Sequence, residues 1–442
     1  MKPSRYNIII DAGDGRKLAF NSATAALAEI DPETFSRITS IFTDPSTVDH
    51  AANRVLVKHL RRGGFLVEKD LDEVASLRML NRMRRTGNTT FFLTIAPTLA
   101  CNFGCDYCFE NSQSHRMSES TQDALLRFSD EHIRDAEQML ITWFGGEPTL
   151  CLDIIEKLHG NFIELATKHR IALLPSSIIT NGYMLDQPMA ERLRSAGVGE
   201  AQVTLDGPEA AHDARRKLRN GKGTFRRIVD NLAMSSDILK IVVRVNVDRT
   251  NLSQAHEVIE LLDREGILPK VNVYFAQVNS TGATCADMRD RCFSTEEFAR
   301  GQTQLYRQLV ADGFYGIEYP SLAPGGHCGA DTKNSFVVSP DGYLFKCWEE
   351  VALAAENSVG SVFSDELLPN QKANLSAYES WNPFTKDRCV ECEVLPICIG
   401  GCPYHGMKKT AQDSGLCCTW KYNLQDMLLL RYLCEQRKEV NA

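Results

Sequence analysis

Apolar runs alternate with amphipathic stretches through the middle of the chain, and this alternation predicts the fold. The strand-like runs span residues 91–95, 139–143, 177–180, 201–205, 241–247 and 271–278. Strands that are separated by helical patterns form parallel βα units. Because a closed barrel of this kind needs eight strands, we expect an α/β fold with an open, partial (β/α)6 barrel. Its site should lie at the carboxyl ends of the strands.

The two ends of the chain follow other patterns. Near the N-terminus we expect a hairpin from residues 6–10 and 17–20, helices at 23–30 and 51–61, a strand at 65–67 and a charged helix at 70–85. Periodicity fades beyond residue 320, where Gly, Pro and Cys are frequent, and a helix is expected at 422–435. We therefore predict three domains, 1–88, 89–300 and 301–442.

Charge and cysteine content narrow the class of protein. The net charge of -8 favours neither nucleic acid nor an anionic membrane as a partner, and the basic runs 215–217 and 61–62 are expected to be solvent-exposed. The chain contains no long apolar run and begins without an apolar signal segment, so we expect a cytoplasmic protein. In a reducing compartment, 15 cysteines with uneven spacing indicate metal ligands rather than disulfides.

The densest cysteine motif is Cys101-Asn-Phe-Gly-Cys105-Asp-Tyr-Cys108, which follows a predicted strand. Three thiolates in a short loop can bind three irons of a cubane cluster and leave the fourth iron open. Structural zinc sites favour paired Cys-x-x-Cys motifs and four protein ligands. The spacing, with Tyr107 and Phe109, resembles the radical S-adenosylmethionine (SAM) superfamily. The resemblance implies a [4Fe-4S] cluster, bound SAM and a 5'-deoxyadenosyl radical.

Further motifs of that superfamily follow at predicted strand ends. By resemblance, Gly145, Gly146 and Glu147 bind the methionyl amine of SAM, with the glycines allowing a ligand to approach the backbone. Similar rim residues contact the ribose and the methionyl carboxylate; here they are Thr180, Asn181 and Asp206, and Tyr107 is assigned to the same site. For Thr180 and Asn181, ordinary turn chemistry is the alternative.

Two polar side chains alternate with valines on the fifth predicted strand. Arg244 and Asn246 share one face, which points into the barrel if the valines face the helices. A buried arginine needs an anion, and the SAM carboxylate would serve; a structural ion pair is the alternative. The sequence identifies no catalytic acid or base, because Asp206 and Tyr107 have no partner that it can place.

The C-terminal cysteines resemble the SPASM domain of peptide-modifying radical SAM enzymes. The resemblance implies two auxiliary [4Fe-4S] clusters, which makes three in all. One would be held by Cys328, Cys347 and Cys402, and the other by Cys389, Cys392, Cys398 and Cys418, with Cys417 as the alternative to Cys418. Cys151 and Cys434 are expected in the core.

One departure from the sulfatase-maturing pattern bears on the product. Residues 329–346 contain no cysteine, whereas those relatives have one there. The first auxiliary cluster would then have an open iron that can take a substrate thiolate, a vacancy also found in maturases that form thioethers, such as the sactipeptide and ranthipeptide enzymes. Cys285 or Cys292 could fill that position instead.

The N-terminal module resembles the winged-helix-like leader-recognition element of ribosomal-peptide maturases. Such elements bind an extended leader along a sheet edge; the alternative is an extension that only covers the barrel. We therefore expect a peptide maturase that installs a Cys sulfur-to-carbon thioether in a ribosomally made precursor, reduced by a flavodoxin or ferredoxin. The alternatives are carbon-carbon or carbon-oxygen crosslinking, formylglycine formation in a sulfatase, and an iron-sulfur electron carrier without radical chemistry.

Overall fold

The computed structural model describes residues 1–44, 51–87, 89–108, 114–278, 290–320, 322, 328–352, 355–408 and 417–441. These residues group into two compact units. The first unit comprises Met1–Arg85, Leu309–His327 and Trp381–Ala442, and the second comprises Thr86–Gln308 and Cys328–Ser380. The first and last parts of the chain therefore share one unit, whereas the sequence predicted them as separate domains.

The strands in chain order are β1 (Lys2–Pro3), β2 (Asn7–Gly13), β3 (Arg16–Asn21), β4 (Ala26–Ile30), β5 (Leu66–Val67), β6 (Thr90–Ile95), β7 (Gln138–Trp143), β8 (Ala172–Leu173), β9 (Ser176–Thr180), β10 (Val198–Thr204), β11 (Lys240–Val247), β12 (Val271–Gln277), β13 (Ser335–Val338), β14 (Tyr343–Phe345) and β15 (Gly360–Ser361). The α-helices are α1 (Pro32–Thr43), α2 (Arg54–Arg62), α3 (Glu73–Thr86), α4 (Glu119–His132), α5 (Leu152–His169), α6 (Gln187–Ser195), α7 (Glu209–Arg215), α8 (Phe225–Ser235), α9 (Glu257–Arg264), α10 (Thr295–Ala311), α11 (Pro369–Ser380), α12 (Asp387–Val390), α13 (Leu395–Cys398), α14 (Pro403–Lys408) and α15 (Trp420–Asn441).

The second unit is built on one large sheet. Its order is β12-β11-β10-β9-β7-β6-β13-β14-β15, with the short β8 beside β7. The strands from β12 to β13 run parallel, and helices connect most of the successive parallel strands. The mostly parallel α/β sheet and the six predicted strands are confirmed. They form because their apolar side chains are buried; Met139, Ile141 and Trp143 of β7 are completely inaccessible.

The sheet continues beyond the six predicted strands. β13 pairs in parallel with β6, and β14 and β15 follow as antiparallel neighbours. These strands come from residues 335–361, so part of the predicted C-terminal domain belongs to the second unit.

The first unit contains a three-stranded antiparallel sheet in the order β2-β3-β4. The predicted hairpin between β2 and β3 is confirmed, and its turn residues Gly13, Asp14 and Gly15 all have positive φ. The predicted helix at 23–30 is wrong. Ala25 adopts a φ of 55°, and the next five residues pair with β3 as β4. Cross-strand pairing outweighs the helical preference of this alanine-rich segment.

The N-terminal sheet and the C-terminal cysteine region share a hydrophobic core within the first unit. Ile8, Phe20 and Leu428 are buried together with Ile397 and Cys398. On the other side of the cysteine segment, α3 packs beside Tyr6, Phe384 and Leu395. No helix in the described ranges is long and apolar enough to cross a membrane.

Candidate active site

The loop that carries Cys101, Cys105 and Cys108 follows β6, at the carboxyl end of the parallel strands. It is fixed to the segment after α7. The Gly104 N–H donates to the Lys217 carbonyl oxygen at 2.9 Å, and Arg219 Nε donates to the Cys101 carbonyl oxygen at 2.7 Å. The cysteine loop is therefore held in place by backbone contacts that do not involve its thiols.

Burial disfavours the thiolate forms of Cys101 and Cys105, so a nearby cation is needed to offset it. Burial raises the pKa of Cys101 to about 12. Burial also raises the pKa of Cys105, and the nearby Arg216 guanidinium opposes that rise. Arg216 is itself buried. Iron binds the thiolate form, so a buried cation beside Cys105 fits an anionic cluster.

The three thiols of this loop do not form a ready-made site for a single ion. Within the residues that the structure describes, no three His, Cys, Asp or Glu side chains converge on one metal ion. A cubane is wider than an ion, and three cysteines in a loop of this length are the ligands it takes.

Gly145 and Gly146 allow the chain after β7 to lie directly against the cysteine loop. A Cβ on Gly145 would collide with the carbonyl oxygen of Thr98, and one on Gly146 with that of Ala100. Gly146 N–H also donates to the Thr98 carbonyl oxygen at 3.1 Å. The close approach that we expected from a ligand is thus made by the cysteine loop itself.

Gly146→Ala should lower SAM cleavage by about a hundredfold, because the new Cβ must displace the backbone that carries Cys101 and reacting groups tolerate little displacement. The measurement is 5'-deoxyadenosine release by the reduced, iron-loaded protein. Gly160→Ala is the control, since Gly160 lies in α5 and faces open space; it should retain full activity and gain about 1 kcal/mol of stability. Full activity in Gly146→Ala would contradict this packing argument.

Glu147 links the ends of two strands through a completely buried carboxyl group. Its Oε1 accepts hydrogen bonds from the Thr149 hydroxyl at 2.6 Å and the Thr180 hydroxyl at 2.7 Å, and its Oε2 accepts from Asn181 N–H at 2.7 Å. Burial raises the pKa of Glu147, and these bonds oppose that rise. A buried carboxyl group that is held only by neutral donors fits an ammonium ligand.

Asn181 connects the end of β9 to the cysteine loop. Its Nδ2 donates to Asn102 Oδ1 at 2.7 Å. The turn chemistry considered as the alternative is also present, because the Thr180 hydroxyl accepts from Gly182 N–H at 3.1 Å and Asn181 Oδ1 accepts from Tyr183 N–H at 3.0 Å. Asn102, inside the cysteine motif, was not predicted as a site residue.

Arg215 corrects the prediction that the 215–217 run is solvent-exposed. Its side chain is 5% exposed. Its Nε lies 3.2 Å from Asp206 Oδ2 and its Nη1 lies 2.7 Å from Asp248 Oδ2, and both carboxyl groups are inaccessible to solvent. The predicted rim residue Asp206 is thus one of two buried carboxyl groups in a charge network that joins α7 to the ends of β10 and β11, and Arg291 also belongs to it through Asp248.

Tyr107 is enclosed by cations and amides. Its hydroxyl oxygen accepts hydrogen bonds from Arg216 and, at 3.1 Å, from Asn246 Nδ2, and the Arg215 guanidinium lies 5.0 Å from its ring centroid. Burial raises the pKa of Tyr107 well above its usual value. Among the described residues, the buried Nε of Arg216 has no hydrogen-bond partner, so this arginine has a donor left for an anion.

Arg244 is half-buried on β11. Its Nε donates to Asn246 Oδ1 at 2.7 Å and its Nη1 to the Tyr274 hydroxyl at 3.2 Å. These partners are neutral, so the structural ion pair that we considered as an alternative is not seen among the described residues. The structure brings Arg244, Asn246, Tyr107 and Asp206 together through shared hydrogen bonds.

The first unit brings together the cysteines predicted for the second auxiliary cluster. A hydrogen bond between Cys398 and Cys418 lowers the pKa of Cys398 to about 6. Lys421 Nζ donates to Cys392 Sγ at 3.4 Å. Cys389 and Cys417 are close enough to Cys398 for each to feel its charge. These thiols fit an iron-sulfur cluster. Both Cys417 and Cys418 lie close to Cys398.

The other cysteines are divided between the two units. Cys328 and Cys347 lie in the second unit, on either side of β13 and β14, whereas Cys402 lies in the first. Cys292 is half-buried, and Cys285 lies outside the described residues. Cys151 and Cys434 are buried, as expected of core residues.

The chain resembles known proteins over most of its length. The family model described as "Radical SAM superfamily" matches residues 95–262. A serine-type anaerobic sulfatase-maturating enzyme of Bacteroides thetaiotaomicron is 31% identical, over 72% of this chain and 84% of that enzyme. The radical SAM cyclopropyl synthase TigE of Paramaledivibacter caminithermalis is 23% identical, over 99% of this chain and 96% of TigE.

Among solved structures, Streptococcus suis SuiB bound to its precursor peptide SuiA shares the fold. The TM-score is 0.52 at 14% identity, and the match covers 94% of this chain and 98% of SuiB. The cysteine loop, the glycine-rich turn and the parallel sheet therefore agree with the similarity to these proteins. The chain belongs to the radical SAM superfamily, and within it to the peptide-modifying maturases.

Proposed function

We propose that this chain installs a crosslink in a ribosomally synthesised precursor peptide. The observation that carries the proposal is the cysteine loop at the carboxyl edge of the sheet. Hydrogen bonds connect it to Arg216 directly and to Glu147 and Arg244 through neighbouring amides, and these polar groups match an anionic cluster and a zwitterionic cosubstrate. Superfamily membership implies a [4Fe-4S] cluster and SAM. Support for a peptide substrate comes from SuiB, which binds a precursor peptide on the same fold.

In the second unit, one set of residues would hold the cluster and another would hold the cosubstrate. Cys101, Cys105 and Cys108 would hold the cluster. When bound, the cluster and SAM supply a 5'-deoxyadenosyl radical that removes hydrogen from an unactivated carbon.

The polar rim would hold the cosubstrate. Glu147 would accept hydrogen bonds from its amine, and Arg244 would bind its carboxylate. The free donor on Arg216 is a second position for that carboxylate. Thr180, Asn181, Asp206 and Asn246 would fix the geometry of these groups through the bonds described above.

The remaining cysteines would hold auxiliary clusters. Cys389, Cys392, Cys398 and Cys418 form the better supported set, because their thiols lie together in one unit. Cys328, Cys347 and Cys402 would hold the other. Residues 329–346 contain no cysteine to complete this first auxiliary set. An iron that neither Cys285 nor Cys292 occupies would be open to a substrate thiolate, and this supports a Cys sulfur-to-carbon thioether as the product.

The N-terminal sheet supports leader binding. β4 pairs with β3 on one side, and within the described residues no strand pairs with its other side. An edge of this kind can accept an extended peptide through main-chain hydrogen bonds. We therefore propose that the leader is added beside β4.

A carbon-carbon bond is the second candidate product. It is favoured by TigE, a cyclopropyl synthase that matches 99% of this chain. Thioether formation and ring closure both remove two hydrogens from the peptide, so the mass change alone does not separate them.

Coexpression with the short peptide encoded nearest the gene should yield a product that has lost two hydrogens. For a thioether, the crosslinked cysteine resists alkylation by iodoacetamide, because its sulfur is no longer a thiol. For a carbon-carbon bond, every cysteine still reacts. Mass spectrometry before and after alkylation makes the distinction, and coexpression with Cys101→Ala is the control. An unmodified peptide together with no 5'-deoxyadenosine would contradict both candidates.

A further inference from the structure

Tyr6 has a buried hydroxyl group without a hydrogen-bond partner. The side chain is 1% exposed, and within the residues that the structure describes its Oη is buried and bonds to no other group. Such groups are rare in folded proteins, because burying a polar group without a hydrogen bond costs free energy. A buried tyrosine hydroxyl usually has a partner. We therefore expect the partner to be a group that binds beside the ring.

The chain around this tyrosine holds the loop that carries Cys392. Arg5, the residue before it, donates from Nη2 to the Val390 carbonyl oxygen at 2.9 Å. Ser22, whose N–H donates to the carbonyl oxygen of the tyrosine at 3.1 Å, donates from its hydroxyl to the Glu393 carbonyl oxygen. These two contacts fall on either side of Cys392 and fix the loop against the N-terminal segment.

The ring of Tyr6 belongs to an apolar cluster that the cysteines of this loop also contact. Phe384 and Leu395 are buried in the same cluster, and Cys389 and Cys392 pack against it. Burial raises the pKa of Tyr6 to about 12, and a negative charge on Cys392 adds to that rise. The hydroxyl group is therefore protonated at neutral pH and lies near enough to Cys392 to feel its charge.

We propose that Tyr6 donates a hydrogen bond to a sulfur atom of the cluster held by Cys389, Cys392, Cys398 and Cys418, and that this bond raises the reduction potential of the cluster. The inference rests on the proposed function, which assigns a cluster to these thiols. Reduction adds one negative charge to the cluster, and a donor stabilises the more negative state more strongly. Hydrogen bonds to the sulfurs are one of the features that set the potential of such clusters.

The test is a redox titration of the full-length, iron-loaded protein, followed by electron paramagnetic resonance. The signal of this cluster is the one that disappears in Cys392→Ala. In Tyr6→Phe, the one-electron reduction equilibrium of that signal should shift about tenfold toward the oxidised state, which corresponds to about 59 mV. The iron content per chain should stay at the parent's value, because phenylalanine keeps the ring in the apolar cluster.

Tyr319→Phe is the matched control. Tyr319, like Cys392, packs against the core that contains Cys398, but its hydroxyl donates to the Ala25 carbonyl oxygen at 2.8 Å, so this variant should titrate like the parent. An unchanged potential in Tyr6→Phe, or an equal shift in both variants, would overturn the proposal. Loss of iron from Tyr6→Phe would overturn it too, since the hydroxyl would then be needed to build the site. If Cys392→Ala removed no signal, the cluster assignment in the proposed function would itself be wrong, and this inference with it.

Discussion

Cys105→Ala should abolish SAM cleavage, with 5'-deoxyadenosine release falling by about a thousandfold or more, as for other essential groups. Cys105 lies in the middle of the cysteine loop, beside the buried Arg216. Its loss leaves two thiols for a cluster that needs three protein ligands. If three clusters are bound, iron content per chain should also fall by about one third, because the auxiliary sets are untouched.

Cys151→Ala is the control for the loss of a buried thiol. Cys151 is 3% exposed and precedes α5, and the proposal gives it no ligand role. Its variant should keep the parent's iron content and activity. If the Cys105→Ala protein retained all its iron and still cleaved SAM, the assignment of this loop as the cluster site would be wrong.

Arg215→Met should destabilise the second unit by about 3–5 kcal/mol, the usual cost of removing one partner from a buried ion pair. Methionine roughly preserves the volume of the side chain but removes the cation beside Asp206 and leaves Asp248 with Arg291, 3.1 Å away, in a site closed to solvent. Denaturation by urea, followed by circular dichroism, measures the change in the free energy of unfolding.

The control for Arg215→Met is Arg61→Met, in the other basic run that the sequence predicted to be exposed. Arg61 lies 2.9 Å from Glu68, but both side chains are more than half exposed. Exposed pairs of this kind contribute about 0–1 kcal/mol, so the variant should be nearly as stable as the parent. Equal effects of the two substitutions would contradict the role of burial.

The pH dependence of Arg215→Met gives a further check on the same network. Burial raises the pKa of Asp248, but the bonds from Thr250 and Arg215 lower it more, so it lies below the usual 3.8. A lowered carboxyl pKa stabilises the fold at neutral pH, and this contribution is lost as the pH falls. The penalty in Arg215→Met should therefore persist from neutrality down to about pH 4 and shrink as the pH falls further below the unfolded pKa of the carboxyl group.

The six predicted strands of the large sheet could be recognised because each is a short, largely apolar run bounded by turn residues. Alternate side chains of strands such as β7 and β11 are buried, so their sequences show the pattern without long-range information. The same reasoning gave the position of the cysteine loop and of Gly145 and Gly146, since strand ends in a parallel sheet meet at one edge.

What the sequence could not predict depends on partners that are distant along the chain. Arg215 and Arg216 form a basic run like many exposed ones, and only the fold brings Asp248 and Tyr107 to them. β4 resembles a helix until β3 lies beside it. The grouping of the N-terminal sheet with the C-terminal cysteines likewise depends on a core shared across nearly 400 residues of sequence.

That shared core thermodynamically links the two activities proposed for the first unit, which are cluster binding by its cysteines and leader binding beside β4. Ile8, Phe20 and Cys398 are buried in the same apolar cluster, so a ligand that holds Cys398 in its folded position also stabilises the sheet that includes β4. Binding free energies are reciprocal in such a system. Metal loading would therefore strengthen the binding of a leader peptide, and a bound leader would strengthen the binding of the metal by the same free energy.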